Sequence, residues 1–278
     1  MKRIALCADD FGAGPAVDAA ILALARAGRL GGVSCQVEAP RFATDVAALA
    51  ALSDRVDLGL HLELAPGRGG LLPLLVRTHA RALSRRAVGA RIARQLDRFE
   101  AAFGRAPDFV DGHQHVHALP VVRDALLDAL ATRYPVPGPV VRNTVPLRSR
   151  GAKAAIVGLL GGAGLRRALR ARGVPHNADF AGVYGFGGGS YPARFRAWLA
   201  GAADGTLVMC HPGLAPGDPG DPIAAARAAE LAYLSSAELP ADCAAAGASC
   251  VRVSAIAVRA LPRPGEAGER AQRDRRGT

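Results

Sequence analysis

Short apolar runs bounded by turn residues alternate along this chain with longer stretches of helical periodicity. Such runs are typical of buried strands, and the stretches between them are typical of crossover helices, so the alternation predicts a parallel sheet covered by helices. The seven predicted strands are Arg3–Ala8, Val33–Val37, Val56–Leu62, Asp108–Asp111, Val140–Asn143, Thr206–Cys210 and Val251–Val258. The seven predicted helices are Pro15–Ala27, Ala43–Leu52, Ala87–Phe103, Leu119–Thr132, Lys153–Arg172, Pro192–Ala203 and Ile223–Ala246.

No glycine- or serine-rich linker divides the 278 residues, and no internal repeat is evident. Half of the residues are hydrophobic, which is enough apolar material for one large core. We therefore expect one α/β domain over residues 1–261, a single distorted (β/α) barrel of about seven parallel strands. Residues 262–278 contain almost no apolar side chains and are expected to form a disordered basic tail.

The formal net charge is +11, but no basic run is interleaved with the aromatic side chains that bind single-stranded nucleic acid. We expect no nucleic-acid partner; an anionic substrate or membrane surface fits the charge about as well. No apolar run is long enough for a transmembrane segment, and the N-terminal run is too short for a signal peptide. The five cysteines form no CxxC pair, which favours reduced thiols in a cytoplasmic protein.

Polar residues cluster where four of the predicted strands end. In parallel α/β barrels the chemistry lies at the carboxyl ends of the strands, so these clusters are the candidates for a site. They contain five of the seven histidines. The clusters are ADDFG at Ala8–Gly12, GLHLE at Gly59–Glu63, DGHQHVH at Asp111–His117 and CHPG at Cys210–Gly213.

Asp9 and Asp10 are adjacent at the end of the first predicted strand. Their side chains are expected to point to opposite sides, so that one carboxylate holds a metal ion while the other takes a proton. Gly12 and Gly14 permit the chain to turn there. The alternative is that the pair caps the helix that begins near Pro15.

The run of His113, His115 and His117 predicts a metal site. All three side chains share a face if the segment is extended, and His113 and His117 share one if it is helical, so at least two imidazoles are expected to converge. An aspartate with two histidines suits Zn²⁺ or another divalent ion, which acidifies water and polarises a carbonyl. A surface histidine cluster is the alternative here, and a core histidine is the alternative for His61.

His211 precedes Pro-Gly and is placed to protonate a leaving group, although a structural role is also open. A Cys210–His211 nucleophile is disfavoured, because adjacent side chains on a strand point apart.

The glycine-rich segment Gly185–Tyr191 lacks the P-loop lysine and is interpreted as a mobile loop at the mouth of the pocket. Phe180, Tyr184 and Tyr191 around it would offer a sugar a stacking face or pack in the core.

Together, the four motifs resemble the YdjC/ChbG/HpnK family of carbohydrate deacetylases, in the order ADDFG, GLHLEL, DGHQHVH and MCHPG between Ala8 and Gly213. The resemblance implies a distorted (β/α) barrel, a homodimer and one divalent metal ion, Zn²⁺ or Mg²⁺. It also implies removal of the acetyl group from an N-acetylated amino sugar, an oligosaccharide or a lipid-linked glycoside, with release of acetate. After ADDFG the chain reads Ala-Gly-Pro where a Leu-Ser type sequence is expected, so the substrate pocket is expected to differ more than the metal site.

The resemblance also implies roles for individual residues. Asp9 would be the general base, and His211 the general acid or a stabiliser of the tetrahedral intermediate. The implied metal ligands are Asp10, His61 and His113.

Three further residues would surround this site. His115 and His117 would contact the substrate or support the ligands from behind. Arg142, at the end of the fifth predicted strand, would likewise bind substrate or support the site from behind.

Two other functions compete. Metal-dependent phosphoester hydrolysis also uses His/Asp clusters on α/β barrels, and would favour a binuclear site. A non-catalytic protein that binds a metal or a carbohydrate would need no general base. Fold alone does not decide among them, because barrels host many chemistries.

Overall fold

The computed structural model describes residues 1–64 and 70–258. The predicted tail, residues 262–278, and the last residues of the predicted domain lie outside the described residues. Within the described ranges, ten strands form one sheet. They are β1 (Lys2–Phe11), β2 (Gly32–Cys35), β3 (Asp57–Leu62), β4 (Phe109–Gly112), β5 (Val140–Val141), β6 (His176–Asn177), β7 (Asp179–Ala181), β8 (Thr206–Cys210), β9 (Ala248–Cys250) and β10 (Ala257–Val258).

Helices connect most of these strands. They are α1 (Pro15–Arg26), α2 (Phe42–Ala50), α3 (Leu71–His79), α4 (Arg85–Phe103), α5 (Val122–Arg133), α6 (Ala152–Val157), α7 (Ala163–Arg172), α8 (Tyr191–Ala200), α9 (Ala224–Ser235) and α10 (Glu238–Ala245). A 3-10 turn spans His113–Ala118, and a wide π-type turn, Gly158–Gly162, joins α6 to α7. None of the described helices is both long enough and apolar enough to cross a membrane.

The strands follow the order β10-β6-β5-β4-β3-β2-β1-β8-β7, and β9 pairs with β1. Every pairing in the described sheet is parallel except that of β10 with β6. The predicted α/β class with a mainly parallel sheet is therefore confirmed, and the sheet is curled. The described ranges contain ten strands rather than about seven, and closure into the predicted (β/α) barrel stays a prediction. Only Ala178 separates β6 from β7, yet β6 pairs with β5 and β7 pairs with β8, so this segment brings the two ends of the strand order together.

The prediction of one strand at Val251–Val258 is wrong. The chain instead forms β9 earlier, makes a 3-10 turn at Ser254–Ile256, and then adds the short antiparallel β10. The predicted helix Lys153–Arg172 is interrupted by the wide turn, where Gly161 packs so closely on Ala118 that a Cβ would lie 2.4 Å from its carbonyl oxygen. The predicted helix Ile223–Ala246 is also two helices, α9 and α10.

The position of β1 fixes the site. Its apolar run is buried because the strand has neighbours on both sides, β2 and β8, with β9 at its start. The parallel register aligns Ala8 with Cys210 on β8 and His61 with Asp111 across β3 and β4. Four predicted strand ends therefore meet at one edge of the sheet.

Candidate metal and catalytic site

A local irregularity at the end of β1 separates the two aspartates. The β1–β2 register shifts between Ala8 and Phe11, and Asp10 has a φ of 71°, in the left-handed region. Such bulges re-aim side chains next to active sites, and aspartate tolerates this conformation better than most residues. Asp9 and Asp10 consequently have different partners, as expected, although both are buried.

Asp10, His61 and His113 converge on one point. One oxygen of Asp10, Oδ1, lies 3.0 Å from Nδ1 of His113 and 3.4 Å from Nε2 of His61. The candidate ligand atoms of all three residues lie within 4.8 Å of one another. Burial by itself would raise the pKa of Asp10, but hydrogen bonds with His113 and His61 hold it well below its usual range. The carboxylate is therefore ionised and can act as a metal ligand.

Asp111 orients the imidazole of His61. Its Oδ1 lies 2.6 Å from Nδ1 of His61 and accepts a 2.5 Å hydrogen bond from Ser34 Oγ. This arrangement fixes the proton on Nδ1 and directs Nε2 towards Asp10, as is common for histidines that bind metals. Burial would lower the pKa of His61, but Asp111 and Asp10 raise it to about 10. The negative potential responsible for that shift also favours a divalent cation at Nε2.

The histidine run does not supply two ligands, so that prediction is wrong. Gln114 and His115 both have left-handed backbone conformations, with φ of 52° and 61°. The segment is therefore neither extended nor a regular helix, and among its three histidines only His113 joins the Asp10 cluster. The second imidazole comes from His61 on β3.

His115 and His117 point elsewhere. The ring of His115 packs edge-to-face on Phe180, with 5.7 Å between centroids. Nε2 of the fully buried His117 lies 2.9 Å from the carbonyl oxygen of Arg142. Burial lowers the pKa of His115 well below its usual range and that of His117 to about 4, so both rings are neutral. This position of His117 favours the predicted support from behind the site over contact with substrate.

Arg142 clamps Asp9. Its Nη1 and Nη2 donate hydrogen bonds of 2.7 and 2.6 Å to the two oxygens of Asp9, and Nη2 also contacts Asp111. The guanidinium is fully buried among these carboxylates and Cys7. Of the two roles predicted for Arg142, binding substrate or supporting the site from behind, this geometry favours the second, because both terminal nitrogens are held by Asp9 and Asp111. Such bidentate pairs are geometrically specific, so Arg142 sets the orientation of Asp9.

His211 lies on the other side of Asp9. Its Nε2 is 3.9 Å from Oδ2 of Asp9, and its side chain is largely buried. The backbone N–H of His211 donates a 2.6 Å hydrogen bond to Glu230, which also accepts one of 2.6 Å from the Tyr184 hydroxyl. Burial raises the pKa of Glu230, although His211 opposes the shift. Glu230, on α9, therefore fixes both His211 and the predicted sugar-stacking residue Tyr184.

The aromatic side chains near the glycine-rich segment divide into core and rim. Phe180 and Tyr191 are buried, whereas Tyr184 is half-buried and packs on Phe186. Phe186 adopts a φ of 59°, unusual for a bulky residue, and its ring meets His211 edge-on at 5.1 Å. Phe186 is thus the aromatic residue of this segment that lies directly beside His211.

Two polar residues that contact Asp10 were not expected from the sequence. Gln36 Nε2 donates to Asp10 Oδ1 at 2.9 Å and lies 3.2 Å from His113 Nδ1. Arg227 Nη2 donates to the other oxygen of Asp10 at 2.8 Å. Gln36 directly follows β2, so its position at a strand end could have marked it as a site residue. Arg227 lies within the helix α9, and its position in the sequence gives no such indication.

Cys210 is no nucleophile in this arrangement. It is fully buried, its Sγ donates towards the carbonyl oxygen of Cys7, and burial raises its pKa well above the usual range. A thiolate, which is the reactive form, is therefore strongly disfavoured.

Residues 3–245 match the family described as YdjC-like protein. The chain belongs to the YdjC-like family. This match covers all four motifs and every strand from β1 to β8, and so includes the whole site described above.

Curated relatives match over a shorter length. A carbohydrate deacetylase of Mus musculus is 34% identical over 147 residues, covering 46% of this chain and 47% of that protein. A chitooligosaccharide deacetylase of Serratia marcescens is 29% identical over 149 residues, covering 49% of this chain and 58% of that protein. The chain thus spans about half the length of the curated relatives that it matches.

Two solved structures share the fold. A protein of Enterococcus faecalis V583, named for cellobiose-phosphate cleavage, has a TM-score of 0.65 and 19% identity, covering 92% of this chain and 99% of that chain. A peptidoglycan N-acetylglucosamine deacetylase has a TM-score of 0.51 and 12% identity, covering 91% and 87%. At these sequence identities the similarity shows a shared fold alone.

Proposed function

We propose that this protein is a metal-dependent hydrolase that removes the acetyl group from an N-acetylated amino sugar. The proposal rests on two groups of residues that lie side by side at the carboxyl ends of the strands. Asp10, His61 and His113 form a cluster of metal-ligand type, and Asp9 lies beside it between Arg142 and His211. The names of the family's relatives, carbohydrate deacetylase and chitooligosaccharide deacetylase, support the acetylated sugar as substrate.

The residues present suit a divalent ion. One carboxylate and two imidazoles are a typical ligand set for Zn²⁺ or a similar metal, and Asp111 supports His61 from behind. An ion held by Asp10, His61 and His113 would supply Lewis-acid polarisation of the amide carbonyl and a lowered pKa of water. This donor set accepts more than one metal, so its identity is a matter for measurement.

Asp9 and His211 would move the protons. Asp9, held in one orientation by Arg142, accepts a proton from the water that attacks the amide carbon. His211 approaches from β8 and donates a proton to the amide nitrogen as the carbon–nitrogen bond breaks. The products are acetate and a free amino sugar. Phe186 and Tyr184 form an aromatic wall beside His211 against which a sugar ring would pack.

Phosphoester hydrolysis at a binuclear site is disfavoured. The second group of potential ligands, Cys7, Asp9 and Asp111, encloses the guanidinium of Arg142. Arginine remains charged at all ordinary pH values, so it already neutralises the carboxylates that a second metal would need.

An acetate-release assay tests the proposal. The purified chain is incubated with N-acetylglucosamine, chitooligosaccharides and an N-acetylglucosaminyl glycolipid, with and without a chelator, and p-nitrophenyl phosphate serves as the phosphoester control. We expect acetate from at least one acetylated sugar, loss of activity with chelator, and recovery when Zn²⁺ or another divalent ion is restored. Acetate release that survives complete metal removal, or turnover of the phosphoester alone, would contradict the proposal.

A further inference from the structure

Two segments of this chain contain no acidic residue at all. Residues 70–96 include six arginines, and residues 135–178 include seven arginines and one lysine. The first segment contains α3, and the second contains α6, the wide turn and α7. Together they carry a positive charge larger than the net charge of the whole chain.

The same two segments expose large aliphatic side chains. Of the nine large hydrophobic residues that are strongly exposed in the described part of the chain, six lie in these segments. Leu159 is 84% exposed, Leu72 is 71% exposed and Val76 is 61% exposed. The six residues are Leu72, Val76, Val136, Leu147, Ile156 and Leu159.

The first segment borders the candidate site on the side of His113. Leu71, at the start of α3, lines a cavity of about 210 Å³ together with His113. The last turn of α3 is fixed to the chain that follows the histidine run, because Thr78 Oγ1 donates a hydrogen bond to the carbonyl of Pro120. Leu72 and Val76 are one helical turn apart and thus share an exposed face of α3.

The second segment borders both sides of the site. Gly161 in the wide turn packs against the carbonyl of Ala118. At the start of α6, Lys153 donates a 2.7 Å hydrogen bond to the carbonyl of Tyr184 and lies 4.6 Å from the ring centre of Phe186, the ring that meets His211. The two basic, aliphatic segments therefore flank the mouth of the site.

The chemistry of this surface selects among possible partners. A second copy of the chain would bring an equally positive surface against it, which charge repulsion opposes. Nucleic acid would match the charge, but its phosphates and sugars offer no apolar partner for exposed leucine, isoleucine and valine side chains. An anionic lipid bilayer matches both properties, because aliphatic side chains enter the acyl boundary while arginines bind the headgroups.

Several of the cations are free to bind such headgroups. Within residues 1–64 and 70–258, four exposed arginines on or next to α3 and α6 form no ion pair with an acidic side chain. They are Arg77, Arg81, Arg86 and Arg148.

We infer that the surface formed by α3, α6 and the wide turn docks on an anionic lipid bilayer, with the mouth of the candidate site facing the headgroups. The binding part of this inference is independent of catalysis. The orientation of the mouth rests on the proposed function, and would let the enzyme act on an N-acetylated amino sugar held in the membrane.

Vesicle co-sedimentation tests the docking. The full chain is mixed with vesicles of phosphatidylcholine alone, or of phosphatidylcholine with about one third phosphatidylglycerol. We expect strong binding to the anionic vesicles, little to the neutral ones, and release as salt is raised. Each basic residue near the surface contributes about a fivefold factor in partitioning, so Arg77→Gln with Arg148→Gln should reduce binding by at least tenfold. Leu72→Ser with Leu159→Ser should reduce it by a similar factor.

Matched controls lie at the opposite edge of the sheet. Arg26→Gln with Arg55→Gln removes two exposed arginines, and Val258→Ser removes an exposed aliphatic side chain; all should bind like the unsubstituted chain. Absence of binding to anionic vesicles, or equal binding by all variants, would overturn the inference. So would a dimer, seen by light scattering, that dissociates in the Leu72/Leu159 variant without any vesicle binding. Co-sedimentation measures binding and does not require catalysis. A chain that fails to bind vesicles would therefore leave the proposed deacetylation untouched, and a chain without deacetylase activity would still show whether the surface binds lipid.

Discussion

Asp111 Oδ1 lies 2.6 Å from Nδ1 of His61, and both side chains are buried. The other oxygen of Asp111 contacts Arg142, which in turn holds Asp9. A single carboxylate thus joins the proposed metal site to the proposed general base. Replacing it should disturb both, although it touches neither the metal nor the substrate.

The Asp111→Asn variant should bind metal about 10- to 100-fold more weakly, the usual effect of losing a carboxylate behind a metal-binding histidine. The amide no longer favours the proton on Nδ1 of His61, so Nε2 becomes a poorer ligand. Metal titration followed by calorimetry measures the change. Asp204→Asn, which alters an exposed carboxylate paired with Arg3, is the matched control and should bind metal normally.

The His113→Ala variant should lose most of its bound metal, since His113 supplies one of three proposed ligands. Elemental analysis after gel filtration measures the metal content per chain. His79→Ala, which removes an exposed histidine on α3, should retain it. Full metal content in the His113 variant would show that the assignment of ligands is incorrect.

The Asp9→Asn variant should fold and bind metal normally yet lose about 10²- to 10⁴-fold in turnover, because the amide cannot accept the proton of the attacking water. His211→Ala should lose turnover by a similar factor while also retaining the metal. Acetate release and metal content are measured on the same preparations. Turnover near that of the unsubstituted chain in either variant would refute the proposed proton transfers.

Phe186→Gly and Phe186→Ala separate the backbone of Phe186 from its ring. Both remove the contact with His211, but only glycine relieves the left-handed φ of 59°. The free energy of unfolding of the glycine variant should therefore exceed that of the alanine variant by about 1 kcal/mol, and its melting temperature should be higher. At most positions alanine is the more stabilising of the two residues. Both variants should show the same increase in KM, and Phe186→Tyr should restore it, if the ring contacts the sugar.

Asp18 should make the fold less stable as the pH rises. Burial raises its pKa to about 7, although its Oδ1 accepts a 2.6 Å hydrogen bond from the N–H of Gly12. A raised pKa means that the folded state binds the proton of Asp18 more tightly than the unfolded state does. The protonated side chain therefore contributes fully to stability when the pH is below the pKa of an ordinary aspartate, and this contribution is lost as the pH rises through about 7. Between pH 5.5 and 8 the loss is ~2 kcal/mol.

Denaturant unfolding of Asp18→Asn at both pH values tests this. The variant should lack that part of the pH dependence and be the more stable chain at pH 8. Asp124→Asn, at a half-buried position on α5, should follow the unsubstituted protein. A pH dependence unchanged in the Asp18 variant would contradict the prediction.

The sequence predicted the long elements well, because each leaves a clear pattern. The strands β1, β3 and β8 are runs buried over nearly their whole length. The helix α4, which ends at the left-handed Gly104, buries Val88, Ile92, Leu96 and Phe99, a spacing of three or four residues that marks one helical face. Short elements such as β6, β7 and β10 were missed, since two or three residues carry no periodicity and their pairing depends on distant strands.

At the site, strand ends located the correct residues but not their partners. The clamp between Arg142 and Asp9 joins residues 133 positions apart, and only the curled sheet brings them together. The left-handed turn at Gln114 and His115 likewise depends on tertiary packing, so the spacing of the histidines was misleading.

β1 carries both Asp9 and Asp10 and is paired with three other strands. Strands held in this way open only when the whole domain unfolds, whereas exposed rims with few buried contacts open far more often. His113 and Phe186 belong to that rim, because neither is part of a strand and both are partly exposed. Local opening of the rim can therefore admit and release a bulky substrate while the carboxylates of Asp9 and Asp10 keep their positions on β1.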